Sequence, residues 1–399
     1  MWNLSKEVKE KFRKCNLLPI PESEEDWEYV LREAKEEGED LIGRLKEELE
    51  EVKAELLQVL PNRFIPYIEN GSLNQPTLPE TVRVDYLKWN SESNREFELI
   101  LEAAYEHTKE AVTYLSTPVQ EVFAESLHDA TIHRINRVGN NLHLYINTDG
   151  GFSKKSYIHL IFQKITSENA DEPLQVGQCL VYDELQKTEK GFAFRVLFEC
   201  PEAEWTIEME TIDAAYYYRP VDFAKIRDER QIESTSFTDY IAKLNPNHRY
   251  WLITPDLICT IKNISERTIL LDNGQLEIGK SDLVVSVGNK SFTYDFNEFN
   301  PIYFIYTDVY EDPYAQFSIP VPTEDLEEAI LGEDLELQVR AWNTMYANPN
   351  ELALIINRIL WKLEIREDNE LMISVFTSHF DQEGILTEKV LDKYRLLIN

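Results

Sequence analysis

Four of the seven histidines, His128, His133, His143 and His159, fall in one short stretch beside Asp129 and Asp149. Imidazole and carboxylate are the usual material of metal centres and of acid–base catalysis. A metal-dependent hydrolase would use His128 and Asp129 with one or more of His133, His143 and His159 to lower the pKa of a bound water. Strand periodicity bears on this set. His143 alternates with Leu142, Leu144 and Ile146, which puts it on the opposite face of a strand from those three. His128-Asp129 sits where a helical segment gives way to a strand, and a short polar side chain there can serve turn amides instead of a ligand.

A second kind of chemistry is binding by aromatic side chains, which offer rigid amphipathic contact area at low entropic cost. The candidates are Tyr216, Tyr217 and Tyr218, and the stretch Tyr303 to Tyr314, in which Tyr310, Glu311 and Asp312 set an aromatic ring beside carboxylates. That mixture suits a cationic partner gripped through charge and cation–π contact. Other catalytic patterns are missing. Asp149-Gly150-Gly151 has neither the GxxxxGK[ST] nor the GxGxxG arrangement and reads as a turn. There is no GxSxG, and the cysteines, Cys15, Cys179, Cys200 and Cys259, form no CxxC pair, so neither a structural zinc site nor a disulfide framework is signalled.

The elements that would position these residues follow from periodicity. Glu22 to Leu60 carries Trp27, Val30, Leu31, Ala34, Leu41, Leu45, Leu49, Val52, Leu56 and Val59 at helical spacing, with Ser23 and Asp26 as a cap, Gly38 and Gly43 as places to bend or divide it, and Pro61 as its end. A further helix is expected from about Glu92 to Leu115. From Ala130 the texture turns to strands: a hairpin around Gly139-Asn140, then Tyr157–Ile165, Gln178–Leu185, Phe192–Glu199 and Trp205–Ile212, arranged as an antiparallel meander. The polar run Asp228 to Ser236 marks a boundary. Beyond it come a second β-rich region from Tyr250 to Ile319, helices at Thr323–Leu331 and Asn348–Leu363 (Asn348 as cap), a strand at Leu371–Phe376 and a terminal helix at Thr387–Leu397. The fold class is α+β: a helical region 1–120, an antiparallel β module 121–227, and a C-terminal α+β module 237–399.

Composition limits the partners. The chain of 399 residues has 73 Asp and Glu against 40 Lys and Arg, a net charge of −33. Such a field repels phosphate backbones and speeds encounter with basic proteins, so nucleic acid is a poor direct partner. The N-terminus lacks the long uncharged core of a signal peptide and no run of about 18 apolar residues occurs, so the expectation is a cytoplasmic protein off the membrane.

The segment Phe123 to Phe162 contains Leu127, His128, Asp129, Ala130 and Ile132, followed by a hairpin and by Gly150, Gly151 and Phe152. On these residues it resembles the family of uncharacterised bacterial proteins known as domain of unknown function 4085, and extends loosely over residues 20 to 220, including the LPNRF segment at Leu60. Related modules with the His-Asp-Ala sequence look similar to immunity proteins of bacterial toxin systems. The resemblance implies a bacterial cytosolic setting and assigns no catalytic residue.

The expectation is a non-enzymatic, cofactor-free binding protein, immunity- or antitoxin-like, whose acidic surface neutralises a basic protein such as a nuclease toxin. Its proposed contacts are His128, Asp129, Tyr216, Tyr217, Tyr218, Tyr310, Glu311 and Asp312. The alternatives are the metal-dependent hydrolase, with His128, Asp129 and His133 as ligands, and a DNA-mimic inhibitor with carboxylates in two phosphate-like rows.

Overall fold

The computed structural model describes residues 2–265, 268–366, 369–395 and 397. The first part is helical: α1 (Lys6–Cys15), α2 (Glu24–Glu37), α3 (Leu41–Leu56), α4 (Ile65–Glu69), α5 (Glu80–Val112) and α6 (Thr117–Phe123). Ser23 and Asp26 make the expected reciprocal cap on α2. Gly38, at φ +72°, ends α2 in a left-handed turn that a residue with a Cβ adopts only at a cost. Gly43 lies instead inside α3, where its missing Cβ leaves room for the Asp40 carboxylate, which accepts a hydrogen bond from its N–H at 3.1 Å. The helix expected from Glu92 begins twelve residues earlier. Its first turns bury Arg83 and Tyr86, and the Tyr86 hydroxyl donates to the Leu18 carbonyl at 2.9 Å. Tertiary packing holds a stretch whose own periodicity is weak.

Six strands then close into a barrel, β1 (Thr131–Val138), β2 (Asn141–Asn147), β3 (Tyr157–Ala170), β4 (Cys179–Thr188), β5 (Gly191–Glu199) and β6 (Ala203–Tyr217). Their order is β1-β2-β3-β6-β5-β4, so the sheet is not a simple meander: β6 passes beside β3, and β4 returns to β1. Side chains at alternate positions fill the interior, among them Leu142, Leu144, Ile158, Leu160, Phe162, Phe194, Val196 and Trp205, and α6 covers the barrel with Val119, Val122 and Phe123. A small barrel filled in this way is a core and not a pore.

Two short helices, α7 (Val221–Asp228) and α8 (Phe237–Lys243), lead to a seven-stranded antiparallel sheet of β7 (Tyr250–Ile253), β8 (Ile258–Ser265), β9 (Thr268–Leu271), β10 (Gly274–Ile278), β11 (Asp282–Val287), β12 (Lys290–Asp295) and β13 (Ile305–Thr307). Turns at Asp272-Asn273-Gly274 and Gly288-Asn289 join β9 to β10 and β11 to β12. Phe223, Ile226 and Ile232 already pack in this sheet's core. The change from one core to the next therefore comes at Tyr218–Pro220, ahead of the polar run at Asp228 to Ser236.

The chain finishes with α9 (Leu326–Leu331), α10 (Leu335–Ala347), α11 (Pro349–Lys362), α12 (Glu370–Gln382) and α13 (Glu388–Tyr394) around Trp342, Ile356, Ile359, Leu360, Phe380 and Tyr394. Two local expectations are corrected here. Leu371–Phe376 is not a strand but the start of α12, which buries Ile373, Thr377 and Phe380 at helical spacing and leaves Leu371 and Val375 80% and 57% exposed. A short apolar run does not distinguish the two periods. Asn348 does not cap α11 with its side chain, which donates backwards to the Thr344 carbonyl at 3.1 Å. The terminal helix is shorter than expected, and Leu396, inside the expected span, lies outside the described residues.

Candidate binding site

The His-Asp-Ala segment is built as a clip. Asp129 takes a left-handed backbone (φ +65°), its N–H donates to Leu180 O at 2.9 Å, and Leu180 N–H returns a bond to Ala130 O at 2.7 Å, which seats the start of β1 on β4. The Gly150-Gly151-Phe152 turn closes over it. A Cβ on Gly151 would stand 2.8 Å from the His128 carbonyl oxygen, and the Phe152 ring meets the His128 ring edge-on at 5.7 Å. The two sequence features that carry the resemblance therefore touch, and backbone approach explains the second glycine. The His128 Nδ1 lies 3.0 Å from Asp129 Oδ1, off the line a hydrogen bond needs, and is buried without a partner among the described residues.

The other histidines do not join it. His133 Nδ1 is 3.0 Å from the Tyr157 hydroxyl. His143 Nδ1 is 3.0 Å from His159 Nε2 across β2 and β3, and the Tyr145 ring stacks on His159 at 4.1 Å. Burial first, then the neighbouring His143 and Arg134, push the His159 pKa down to about 4. Among the described residues no group of three or more His, Cys, Asp or Glu is placed to hold a metal ion, so His128, Asp129 and His133 are not assembled as ligands.

The aromatic segments do converge. Tyr218 N–H donates to Thr307 O at 2.8 Å and Thr307 N–H to Tyr218 O at 2.9 Å, so the end of β6 is tied to β13 of the second sheet. Around this joint Tyr145, Tyr157, Trp251, Ile253 and Tyr306 share an apolar cluster, against which Tyr217 packs. Tyr218 reaches Tyr216 and Tyr310 with ring centroids 5.7 and 5.3 Å away. Tyr216 donates its hydroxyl to Glu121, and Asp312 accepts from Tyr314 N–H at 2.9 Å.

Beside the joint opens a cleft of about 370 Å³, walled by the Thr148–Lys154 loop, Tyr218, the start of α7, Tyr310, Glu311 and Tyr314. Its organising group is Arg219, which sequence reasoning missed because a lone arginine after an aromatic run carries no pattern. The guanidinium bonds Asp149 Oδ2 at 2.5 and 2.9 Å and Tyr303 O at 2.6 Å, and lies over the Tyr306 and Phe223 rings at 4.0 and 4.5 Å. Burial lowers its pKa, but Tyr306 and Asp149 outweigh that and hold it above the usual arginine value. Three cations, Lys154, Arg219 and Arg227, line the cleft against two carboxylates, Asp149 and Glu311. The aromatic rings thus arrive with cations of their own.

The strongest acidic surface lies at the other end of the chain. From Glu22 to Glu55 there are fifteen Asp and Glu against five Lys and Arg, a net −10 of the chain's −33. Nearly all of these acids are exposed on α2, α3 and their junction. Tyr29, Leu31 and Ile42 stand among them, 51%, 42% and 40% exposed.

A helix-covered six-stranded barrel with a sheet-and-helix extension, its two halves clamped by Arg219, is the class of molecule that this fold and site define. A family described as protein of unknown function, DUF4085, matches residues 4–209, more than half of the sequence, and the chain belongs to that family. The match takes in α1 to α6, the clip and the barrel as far as the middle of β6, and ends before the second sheet. No curated protein and no solved structure matches the chain. Among the described residues no helix is long and apolar enough to cross a membrane.

Proposed function

We propose that the protein is a non-enzymatic binding protein, acting in the cytoplasm in the manner of an immunity or antitoxin protein, that engages a basic protein such as a nuclease toxin. The observation that carries this reading is the acidic α2–α3 pair, net −10, with Tyr29, Leu31 and Ile42 exposed among its carboxylates. Carboxylates at this density raise the rate of encounter with a cationic surface, and the apolar side chains add contact area that charge alone lacks. The aromatic cleft complements such a contact poorly, since its own cations exceed its carboxylates.

The test replaces four exposed acids that hold no ion pair among the described residues, Glu28, Glu36, Glu47 and Glu51, by lysine. Wild-type protein should retain a basic protein from its native cell at low salt and release it at high salt. The fourfold variant should bind the recovered partner, once purified, at least about tenfold more weakly, mainly through a slower association rate. Unchanged affinity, or a purified partner without a cationic surface, refutes the reading.

A further inference from the structure

Beside the clip the barrel closes through a short pairing. β1 and β4 pair at Thr131 and Cys179, with the Asp129 and Leu180 bonds just beyond, and then α5 takes over: the N–H of Leu185 is met by the Thr108 hydroxyl at 2.9 Å instead of by a strand. On its other edge β4 carries a register shift between Leu180 and Tyr182 in its pairing with β5. A cavity of about 310 Å³ lies here, bounded by α5, the end of α6 and β4, with Leu101, Ala104, Phe123, Glu125, Tyr182 and Asp183 in its wall.

The charge balance of this cavity is unusual. Among the described residues no Lys or Arg lines it, and the titratable groups in its wall besides Asp183 are Glu125, His128, Tyr105 and Tyr182. Glu125 is already engaged by Lys155 Nζ at 3.0 Å, the Ser153 hydroxyl at 2.6 Å and Lys154 N–H at 2.8 Å. Asp183 is half-buried and has no ion pair and no hydrogen-bond donor among the described residues, and burial raises its pKa to about 7. A desolvated carboxylate holds its proton until a cation is brought to it, and apolar and aromatic walls beside it favour a ligand that carries both a charge and an apolar body.

We propose that this cavity binds a small organic amine, its ammonium paired with the Asp183 carboxylate and its apolar body against Leu101, Ala104 and Phe123. The site is made of residues Leu4 to Asp183 and lies wholly within the part of the chain that matches its family. It shares no residue with the acidic α2–α3 pair, so the two readings stand or fall separately.

The experiment is calorimetric titration of the full chain with phenethylamine and with its neutral counterpart 2-phenylethanol, at pH 6 and pH 8, on wild type and Asp183→Asn. The expected result is saturable millimolar or tighter binding of the amine, at least about tenfold weaker binding of the alcohol, and the same weakening for the amine on Asp183→Asn. At pH 6 binding should release a proton, read as a dependence of the heat on the buffer's ionisation enthalpy, and at pH 8 it should not. No binding of the amine by wild type, equal binding of amine and alcohol, or equal binding of the amine by a folded Asp183→Asn overturns the proposal. The comparison of amine with alcohol needs no variant and decides the matter should Asp183→Asn fail to fold.

Discussion

Asp183 and Glu184 are neighbours on β4, and strand geometry sends their side chains to opposite faces. Glu184 is fully buried yet accepts hydrogen bonds from Leu4 N–H at 3.0 Å, Asn3 N–H at 2.9 Å and Gln186 Nε2 at 2.6 Å, with His107 Nδ1 2.7 Å away. Asp183 has no such partner, and its pKa rises from the ordinary 3.8 to about 7. For an acid shifted upwards, the folded state keeps a proton that the unfolded chain loses from about pH 4. Stability should therefore fall as pH rises from about 4 to 7 and then level off. The gap between 3.8 and about 7 corresponds to at most about 4 kcal/mol at pH 8, and solvent screening at a half-buried carboxyl reduces this to about 2–4 kcal/mol. Asp183→Asn removes the penalty, so urea unfolding at pH 8 should show it more stable than wild type by that amount, with the difference vanishing near pH 4. A variant no more stable at pH 8, or a difference that does not shrink towards pH 4, refutes the claim that this carboxyl is desolvated and unpartnered.

Glu184→Ala should act in the opposite sense, costing about 3 kcal/mol or more in the same assay at pH 7, because it orphans the Leu4 and Asn3 amides. Burial raises the Glu184 pKa, but the Leu4 amide, His107 and Gln186 lower it further, leaving it below 4.5. Its contribution is thus present above pH 4.5 and lost as pH falls through that depressed value, which the same urea series extended into acid should record. Gly151→Ala brings a methyl group within 2.8 Å of the His128 carbonyl and should destabilise by about 1–3 kcal/mol, read as a lowered urea midpoint. Arg219→Met leaves Asp149 and the Tyr303 carbonyl without their donor; a cost of about 3 kcal/mol is expected, with hydrogen exchange accelerated at Tyr218 and Thr307 more than in β5.

Much of the fold was legible in local patterns. Alternation along Leu142–Ile146 and the Gly139-Asn140 turn gave the first hairpin, Ser23 and Asp26 gave the cap of α2, and the α+β order of the chain followed from such pieces. The run at Leu371 misled because six residues, five of them apolar, do not fix a period, and the first turns of α5 were missed because Arg83 and Tyr86 are held by packing. Of the residues singled out for binding, Tyr216, Tyr217, Tyr218 and Tyr310 do gather at one joint, with Glu311 and Asp312 beside them. The histidines remain at three separate places, since strand register and not sequence distance decides which side chains meet.

The sequence by itself determined the net charge, its concentration between Glu22 and Glu55, the helix and strand periods, and the glycine-bearing turn after β2. These are properties of residue type and short-range spacing. Only the tertiary structure decided that β4 returns to β1 with a cavity beside α5, that Arg219 clamps two cores, and that adjacent carboxylates meet opposite surroundings. Each of these depends on contacts between segments far apart in the chain, and no local pattern records which distant surface a side chain will face.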